Sequence, residues 1–326
     1  MANEAAKPGI LVHGPKKPLV ERGLAERFDV HVIHSPEELE KLPPAVVDNI
    51  RGIAVTGLVK TDAAILARFP KLEIVASFGV GYDHVDFRYA AAHNIVVTHT
   101  PDVLTEEVAD TTIGLLIATL REFITADRYV REGKWPQKDY RLSPGSLRDR
   151  TVGIVGMGRI GRAIARRVEA CGVPIVYHSR NPAPGISYRH YPNLIEMAKD
   201  VDTMIAITPG GASTLKMINA EVLKALGPRG VFINVARGSV VDEEALIAAL
   251  KDGTILAAGL DVFAHEPNVP KEFWTMDNVV LLPHIASASI ATRDAMDQLV
   301  VDNLLNWFSG QPALTPVAET PFGKRE

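Results

Sequence analysis

One cysteine in 326 residues excludes any intrachain disulfide, so packing and hydrogen bonds must hold this chain together, and the count fits a reducing cytosol. That residue, Cys171, closes a helical pattern just before Gly172 and is expected to be a small buried side chain. No basic excess is present either. The formal net charge is -4, with Lys and Arg scattered along the chain, which argues against nucleic-acid binding and against a polybasic membrane patch. Long apolar runs are also missing. "IGLLIATL" at Ile113 to Leu120 is too short to span a bilayer, and the opening "MANEAAKPGI" has no apolar stretch of signal-peptide length, so a cytoplasmic protein without membrane contact is expected. Finally, no acid stands where one is anticipated, after the strand "IVYHSRN" at Ile175 to Asn181.

What is present is a strongly alternating pattern. With 47% hydrophobic and 23% charged residues, a chain this long can bury a large core and is expected to form two domains. Short apolar runs alternate with helical patterns, the signature of parallel sheets with crossover helices in an α/β fold. One strand series comprises Ile10 to His13, Val30 to Ile33, Gly52 to Thr56, Ile74 to Ser77 and Ile95 to Thr98. A second begins at Thr151 with "TVGIVG" and continues through "VPIVYHS", "TMIAIT", "VFINVA", "AAGLDVF" and "VVLLPH". Between them, Leu104 to Arg131 reads as one long helix, followed by the turn-rich arm "EGKWPQKDYRLSPGSLRDR". Another helix is expected after His284, ending near Gly310. Two long helices enclosing the second series make it an insertion: residues 101–287 form one domain, and 1–100 with 288–326 form the other.

The second series opens on a dinucleotide signal. Gly156, Gly158 and Gly161 have G-x-G-x-x-G spacing, an apolar strand leads in, and Ile160, Ala163, Ile164, Val168 and Cys171 share one helical face after it. Gly156 permits a tight turn, Gly158 lets the backbone approach a pyrophosphate, and Gly161 allows helix and strand to pack closely. Arg159 and Ile160 present N–H groups at the positive helix end. At the next strand end, where an acid would bind a ribose 2′-hydroxyl, stand His178, Ser179 and Arg180. A carboxylate would repel a 2′-phosphate, whereas Arg180 can pair with it and Ser179 can donate a hydrogen bond. One such charge pair is worth roughly 1 to 4 kcal/mol between bulk water and a protein surface. The cofactor expected is therefore NADPH, with NADH still admitted.

Reduction of a carbonyl by a nicotinamide needs a general acid for the oxygen and a cation for an anionic substrate. Arg237 follows "VFINVA", Glu266 follows "AAGLDVF" and His284 follows "VVLLP", three ionisable residues at three successive strand ends where ligands gather in such folds. With "SFGVGYDHVD" at Ser77 to Asp86, "GMGRIG", "NVARG", "GLDVF", "EP" at Glu266-Pro267 and "PHIAS", the chain resembles the D-isomer-specific 2-hydroxyacid dehydrogenase family over nearly its whole length. Its Ser-Arg pair resembles the NADPH-dependent glyoxylate/hydroxypyruvate and hydroxyphenylpyruvate reductase branch.

That resemblance implies two Rossmann-like domains, the cofactor domain inserted in a flavodoxin-like substrate domain, and no metal. It implies that Arg237 binds the carboxylate and 2-oxo group of a small 2-oxo acid, that the N–H groups of Val80 and Gly81 hold the other carboxylate oxygen, and that His284 donates the proton. Glu266 would stabilise the His284 imidazolium. Asp261 would accept from the nicotinamide carboxamide, and Asn234, Ala236, Thr208 and Pro209 would complete the cofactor site. Leu58 is a candidate pocket wall. A homodimer is implied, with Trp135 in the arm as a candidate to reach the neighbouring active site. Glu266 argues against formate oxidation, which pairs the histidine with Gln in related enzymes. Ala286 stands where the family often has Gly, His99 where Asn is more usual, and Gly210-Gly211 and Ser213 where acidic residues or Thr are common. Two readings stay open beside glyoxylate and hydroxypyruvate reduction: phenylpyruvate or hydroxyphenylpyruvate reduction, and a dinucleotide-sensing corepressor that binds protein partners. His13, His31, His34, His93 and His190 read as structural or exposed.

Overall fold

The computed structural model describes residues 7–57 and 59–320, so Leu58 lies outside the described residues. The chain divides into two compact units, Met1–Leu104 with Ser289–Glu326, and Thr105–Ala288.

In the first unit, β1 (Gly9–His13), β2 (Asp29–Ile33), β3 (Ile50–Val55), β4 (Ile74–Ser77) and β5 (Val96–Thr98) form one sheet in the order β2-β1-β3-β4-β5. Every neighbouring pair is parallel. Each of β1, β4 and β5 is buried along its whole length, as expected of strands covered on both faces by crossover helices. This strand order is that of a flavodoxin-like sheet. The helix Ile290–Phe308 packs back on β3 and β4, burying Met296, Val300, Val301, Leu304 and Trp307. Burying each such side chain is worth roughly 1.5 to 3 kcal/mol.

The second unit holds β6 (Val152–Val155), β7 (Ile175–His178), β8 (Arg189–Tyr191), β9 (Thr203–Ala206), β10 (Val231–Asn234), β11 (Ala257–Leu260) and β12 (Val279–Leu281). The order is β12-β11-β10-β9-β6-β7-β8, again all parallel. The order reverses between β6 and β9, creating the switch point where α/β sheets bind dinucleotides beyond their carboxyl ends.

Three expectations need correction here. The edge strand β8 adds a member to the second series, although "RHY" is polar and carries no apolar alternation; it forms by pairing with β7. The long helix is two helices, Thr105–Leu120 and Phe123–Arg131, broken at Glu122 with φ 54°. Tyr140 and Arg141 donate to the Glu122 carboxylate there, and the two sides differ in burial: Leu115, Leu116 and Leu120 are buried, while no residue of Phe123–Arg131 is. Cys171 is exposed rather than buried. The helix Arg159–Ala170 has just ended, and Cys171 occupies the capping turn that leads into Gly172 at φ 72°.

Candidate active site

The glycine turn after β6 is shaped by steric limits. A Cβ at Gly161 would lie 2.1 Å from the Gly156 carbonyl oxygen, so only glycine lets the helix Arg159–Ala170 start this close to the strand. Around Gly158, by contrast, a Cβ would meet nothing within 4 Å. That open approach leads to the first turn of a helix of 12 residues, with Arg159 and Ile160 at its positive end. These features fit a dinucleotide pyrophosphate. Thr208 and Pro209 follow β9 across the switch point, and the Pro209 carbonyl accepts from the Thr214 hydroxyl.

At the end of β7 the Gly156 N–H donates to the His178 carbonyl, joining the two loops. The His178 ring is committed to the edge strand through Nδ1 and the Tyr191 carbonyl at 2.8 Å. The Ser179 hydroxyl donates to the Asn181 carbonyl at 2.6 Å. A hydroxyl has one proton to give, so Ser179 serves a phosphate only by releasing Asn181. Arg180 is exposed and makes no hydrogen bond or ion pair among the described residues.

On the other side of the switch point the polar groups are tied to one another. Asn234 is 1% exposed; its amide donates to the Arg237 carbonyl and its oxygen accepts from the Ala236 N–H. The amide expected to serve the cofactor is thus already used to shape the turn that presents half-buried Arg237. Gly238 then packs so closely that a Cβ would lie 1.8 Å from the Phe263 carbonyl carbon. Nothing in the resemblance singles this glycine out, although it completes the "NVARG" motif. It holds the Arg237 turn against the loop that carries Glu266.

Glu266 accepts from the Phe263 N–H through Oε1 and faces His284 Nδ1 through Oε2 at 2.6 Å. Their side chains are 27% and 31% exposed, open enough for a ligand to reach. Burial pushes the Glu266 carboxyl up. The His284 hydrogen bond and charge, the Phe263 N–H and the Arg237 charge outweigh it, and the net direction is down, towards the ionised form. With Nδ1 engaged, Nε2 is the nitrogen left to face a substrate oxygen.

His284 sits at φ 55°, an uncommon conformation for a side chain of this size. Asp261 accounts for it. Its carbonyl accepts from the His284 N–H, and its two carboxylate oxygens accept from Ile285 and Ala286 at 2.7 and 2.9 Å. Only 1% exposed, Asp261 is raised by burial against the opposing pull of those two N–H groups. Its carboxylate therefore fastens the turn that displays the histidine, in addition to whatever it offers a carboxamide.

In the first unit, the loop after β4 carries Val80 and Gly81. Their N–H groups donate to no described group, while the Val80 carbonyl bonds the His99 ring and Gly79 exchanges bonds with Thr100. His84 bonds Ser77 at 3.0 Å and Asp86 caps the following helix at the Tyr89 N–H, so both brace this loop. Trp135, in the arm of the second unit, is 60% exposed. Among the described residues no cluster of His, Cys, Asp or Glu is arranged to hold a metal, and no helix is long and apolar enough to cross a membrane.

The model of the D-isomer specific 2-hydroxyacid dehydrogenase NAD binding domain matches residues 113–286, and glyoxylate/hydroxypyruvate reductase A of Arabidopsis thaliana is 43% identical over 95% of this chain and 98% of its own. The chain belongs to the D-isomer-specific 2-hydroxyacid dehydrogenase family. The hydroxyphenylpyruvate reductase of Plectranthus scutellarioides is 42% identical over the same shares. Among solved structures, the NADPH-dependent glyoxylate/hydroxypyruvate reductase of Sinorhizobium meliloti, in complex with NADP and malonate, is 56% identical. It superposes with a TM-score of 0.94, covering 98% of this dehydrogenase and 100% of that chain.

Proposed function

We propose that this dehydrogenase reduces small 2-oxo acids, glyoxylate and hydroxypyruvate, to D-2-hydroxy acids with NADPH. The observation that carries the reading is the Glu266–His284 pair at 2.6 Å, set beside Arg237 at the carboxyl edge of a dinucleotide-binding sheet. The bound nicotinamide supplies the hydride. Arg237 binds the substrate carboxylate and polarises the 2-oxo group. His284 gives its Nε2 proton to the oxygen as alkoxide charge develops, and remains bonded through Nδ1 to Glu266 in the neutral form. Glu266, held ionised, fixes the ring orientation and stabilises the imidazolium before transfer.

Arg180 and Ser179 select the 2′-phosphate, a reading supported by the exposed, unpaired guanidinium and by the NADPH dependence of the Sinorhizobium relative. The exposed apolar side chains Phe123, Ile124, Val130, Trp135 and Leu142 support a homodimer formed through this region, with Trp135 lining the neighbouring substrate site. The cytoplasm is the compartment this reading takes, in keeping with a single cysteine.

The test is initial-rate kinetics with hydroxypyruvate, glyoxylate and phenylpyruvate, each with NADPH and NADH. Rapid NADPH oxidation with the small acids is expected. Faster turnover of phenylpyruvate would move the assignment to the aromatic acids, the reading that the Plectranthus relative favours. Tight NADPH binding without turnover of any acid would instead support a dinucleotide-sensing role.

A further inference from the structure

The chain's preference between the two nicotinamide cofactors depends, on the reading above, on where Arg180 is held, yet Arg180 itself touches nothing that would hold it. Its position is inherited from Ser179. The β7–β8 ladder ends at the pair His178 and Tyr191, one residue short of Ser179. Beyond that point two side chains continue the connection, each donating to a carbonyl on the opposite strand. His178 Nδ1 reaches the Tyr191 carbonyl at 2.8 Å, and His190 Nε2 reaches the Ser179 carbonyl at 2.9 Å.

We propose that His190 is a specificity-positioning residue that fixes the Ser179–Arg180 turn for the 2′-phosphate of the cofactor. The inference rests on the reading of Arg180 given above. Other bonds secure the far side of the same loop: the Ala183 N–H donates to the Tyr177 hydroxyl, and Arg162 donates to the Pro184 carbonyl. At the crest the Asn181 carbonyl accepts from the Ser179 hydroxyl, and the Arg180 guanidinium has no partner among the described residues. The Gly156 N–H on the His178 carbonyl puts the pyrophosphate turn in the same frame. With its backbone already ordered, the guanidinium meets the phosphate at a lower entropic cost.

Apart from that bond the His190 ring lies against the Tyr177 ring, 5.1 Å between centroids, a contact that a phenyl ring at residue 190 would keep. The edge strand is anchored independently by its ladder to β7 and by the Tyr191 hydroxyl on Asp200 at 2.6 Å. Losing the donor at residue 190 should therefore loosen the residue next to Arg180 while leaving the strand in place. A cofactor lacking the 2′-phosphate makes no use of Arg180, so its binding should be indifferent to the change.

The experiment is equilibrium binding of NADPH and NADH, followed by nucleotide fluorescence, with adenosine 2′,5′-bisphosphate against AMP as fragment controls. The variants are H190F, which keeps a ring and removes the donor, H190Q, whose amide N–H spans a similar reach, and R180A. For H190F we expect NADPH and the bisphosphate to weaken about three- to tenfold, the range of one lost hydrogen bond, with NADH and AMP changed by less than about twofold. H190Q should restore most of the loss. Equal weakening of both cofactors, unchanged NADPH binding, or H190Q behaving as H190F would each overturn the proposal. R180A separates the two layers. If it binds NADPH like the wild type, the reading of Arg180 fails and the role of His190 with it; if R180A weakens NADPH and H190F does not, only the role of His190 fails. Should H190F not fold, H190M removes the same donor and is judged by the same criteria.

Discussion

The two ends of the seven-stranded sheet's carboxyl edge are built differently. Beyond β10, β11 and β12 the polar groups are interlocked: Asn234 with the Arg237 turn, Glu266 with His284, and Asp261 with three consecutive N–H groups. Beyond β7 the side chain proposed to select the cofactor, Arg180, is exposed and unpaired among the described residues, and only its backbone surroundings are secured. Chemistry needs an atom held to a fraction of an ångström, which a web of short bonds supplies. Selection between two cofactors needs a charge within reach of the 2′-phosphate, for which an ordered backbone beneath a mobile side chain is enough. The reacting end should therefore tolerate few substitutions, and the selecting end should be altered with little effect on folding or catalysis.

The largest expected effect is at the reacting end. H284A removes the proposed proton donor and should lower kcat about 10²- to 10⁴-fold with either cofactor, as loss of a general acid does, while NADPH binding is retained. A variant within a few-fold of wild type would place the proton donor elsewhere. R237A should follow, reducing kcat/KM for 2-oxo acids by about 10²-fold, the scale of two charge-assisted hydrogen bonds, in steady-state assays against glyoxylate and hydroxypyruvate. E266Q is milder, with kcat down about tenfold, because an amide oxygen can still accept from the ring but brings no charge.

The E266Q variant also gives a pH test. The folded-state Glu266 carboxyl lies below its ordinary value, so its contribution to stability is present above that ordinary value and is lost as pH falls through the depressed one. Denaturant unfolding of wild type and E266Q at a series of pH values should show a gap that closes on the acid side. A gap that persists undiminished at low pH would show that the pair is not held by charge. The smallest effect belongs to the first unit. His13 is 2% exposed and burial lowers its pKa, so the folded chain resists protonation that the unfolded chain accepts. Stability should decline as pH drops below about 6.5 through this group, and H13N should flatten that part of the profile.

The difference between the two ends also explains what can be read from sequence. Both strand series and the glycine turn are legible, because buried parallel strands are continuous apolar runs and the glycines at 156, 158 and 161 have a fixed spacing. Arg237, Glu266 and His284 stand out as ionisable groups following such runs. The bonds that hold them do not, since Asn234 and Asp261 act on residues that only the folded turn brings near. β8 escapes because a polar edge strand owes its existence to its partner. His190 escapes with it, reading as one structural or exposed histidine among ten. The break at Glu122 is hidden for a similar reason: its helical pattern runs on unbroken, and the change from buried Leu120 to exposed Phe123 is decided by what the sheet covers.

The measurement that tests the separation of reacting and selecting ends most directly is kcat and KM for R180A with NADPH and with NADH, at saturating hydroxypyruvate. Separate ends predict an NADPH KM raised about tenfold to several-hundredfold, the range of one charge pair near a protein surface, with the NADH parameters and both kcat values close to wild type. A fall in kcat with both cofactors, or an unchanged NADPH KM, would contradict it.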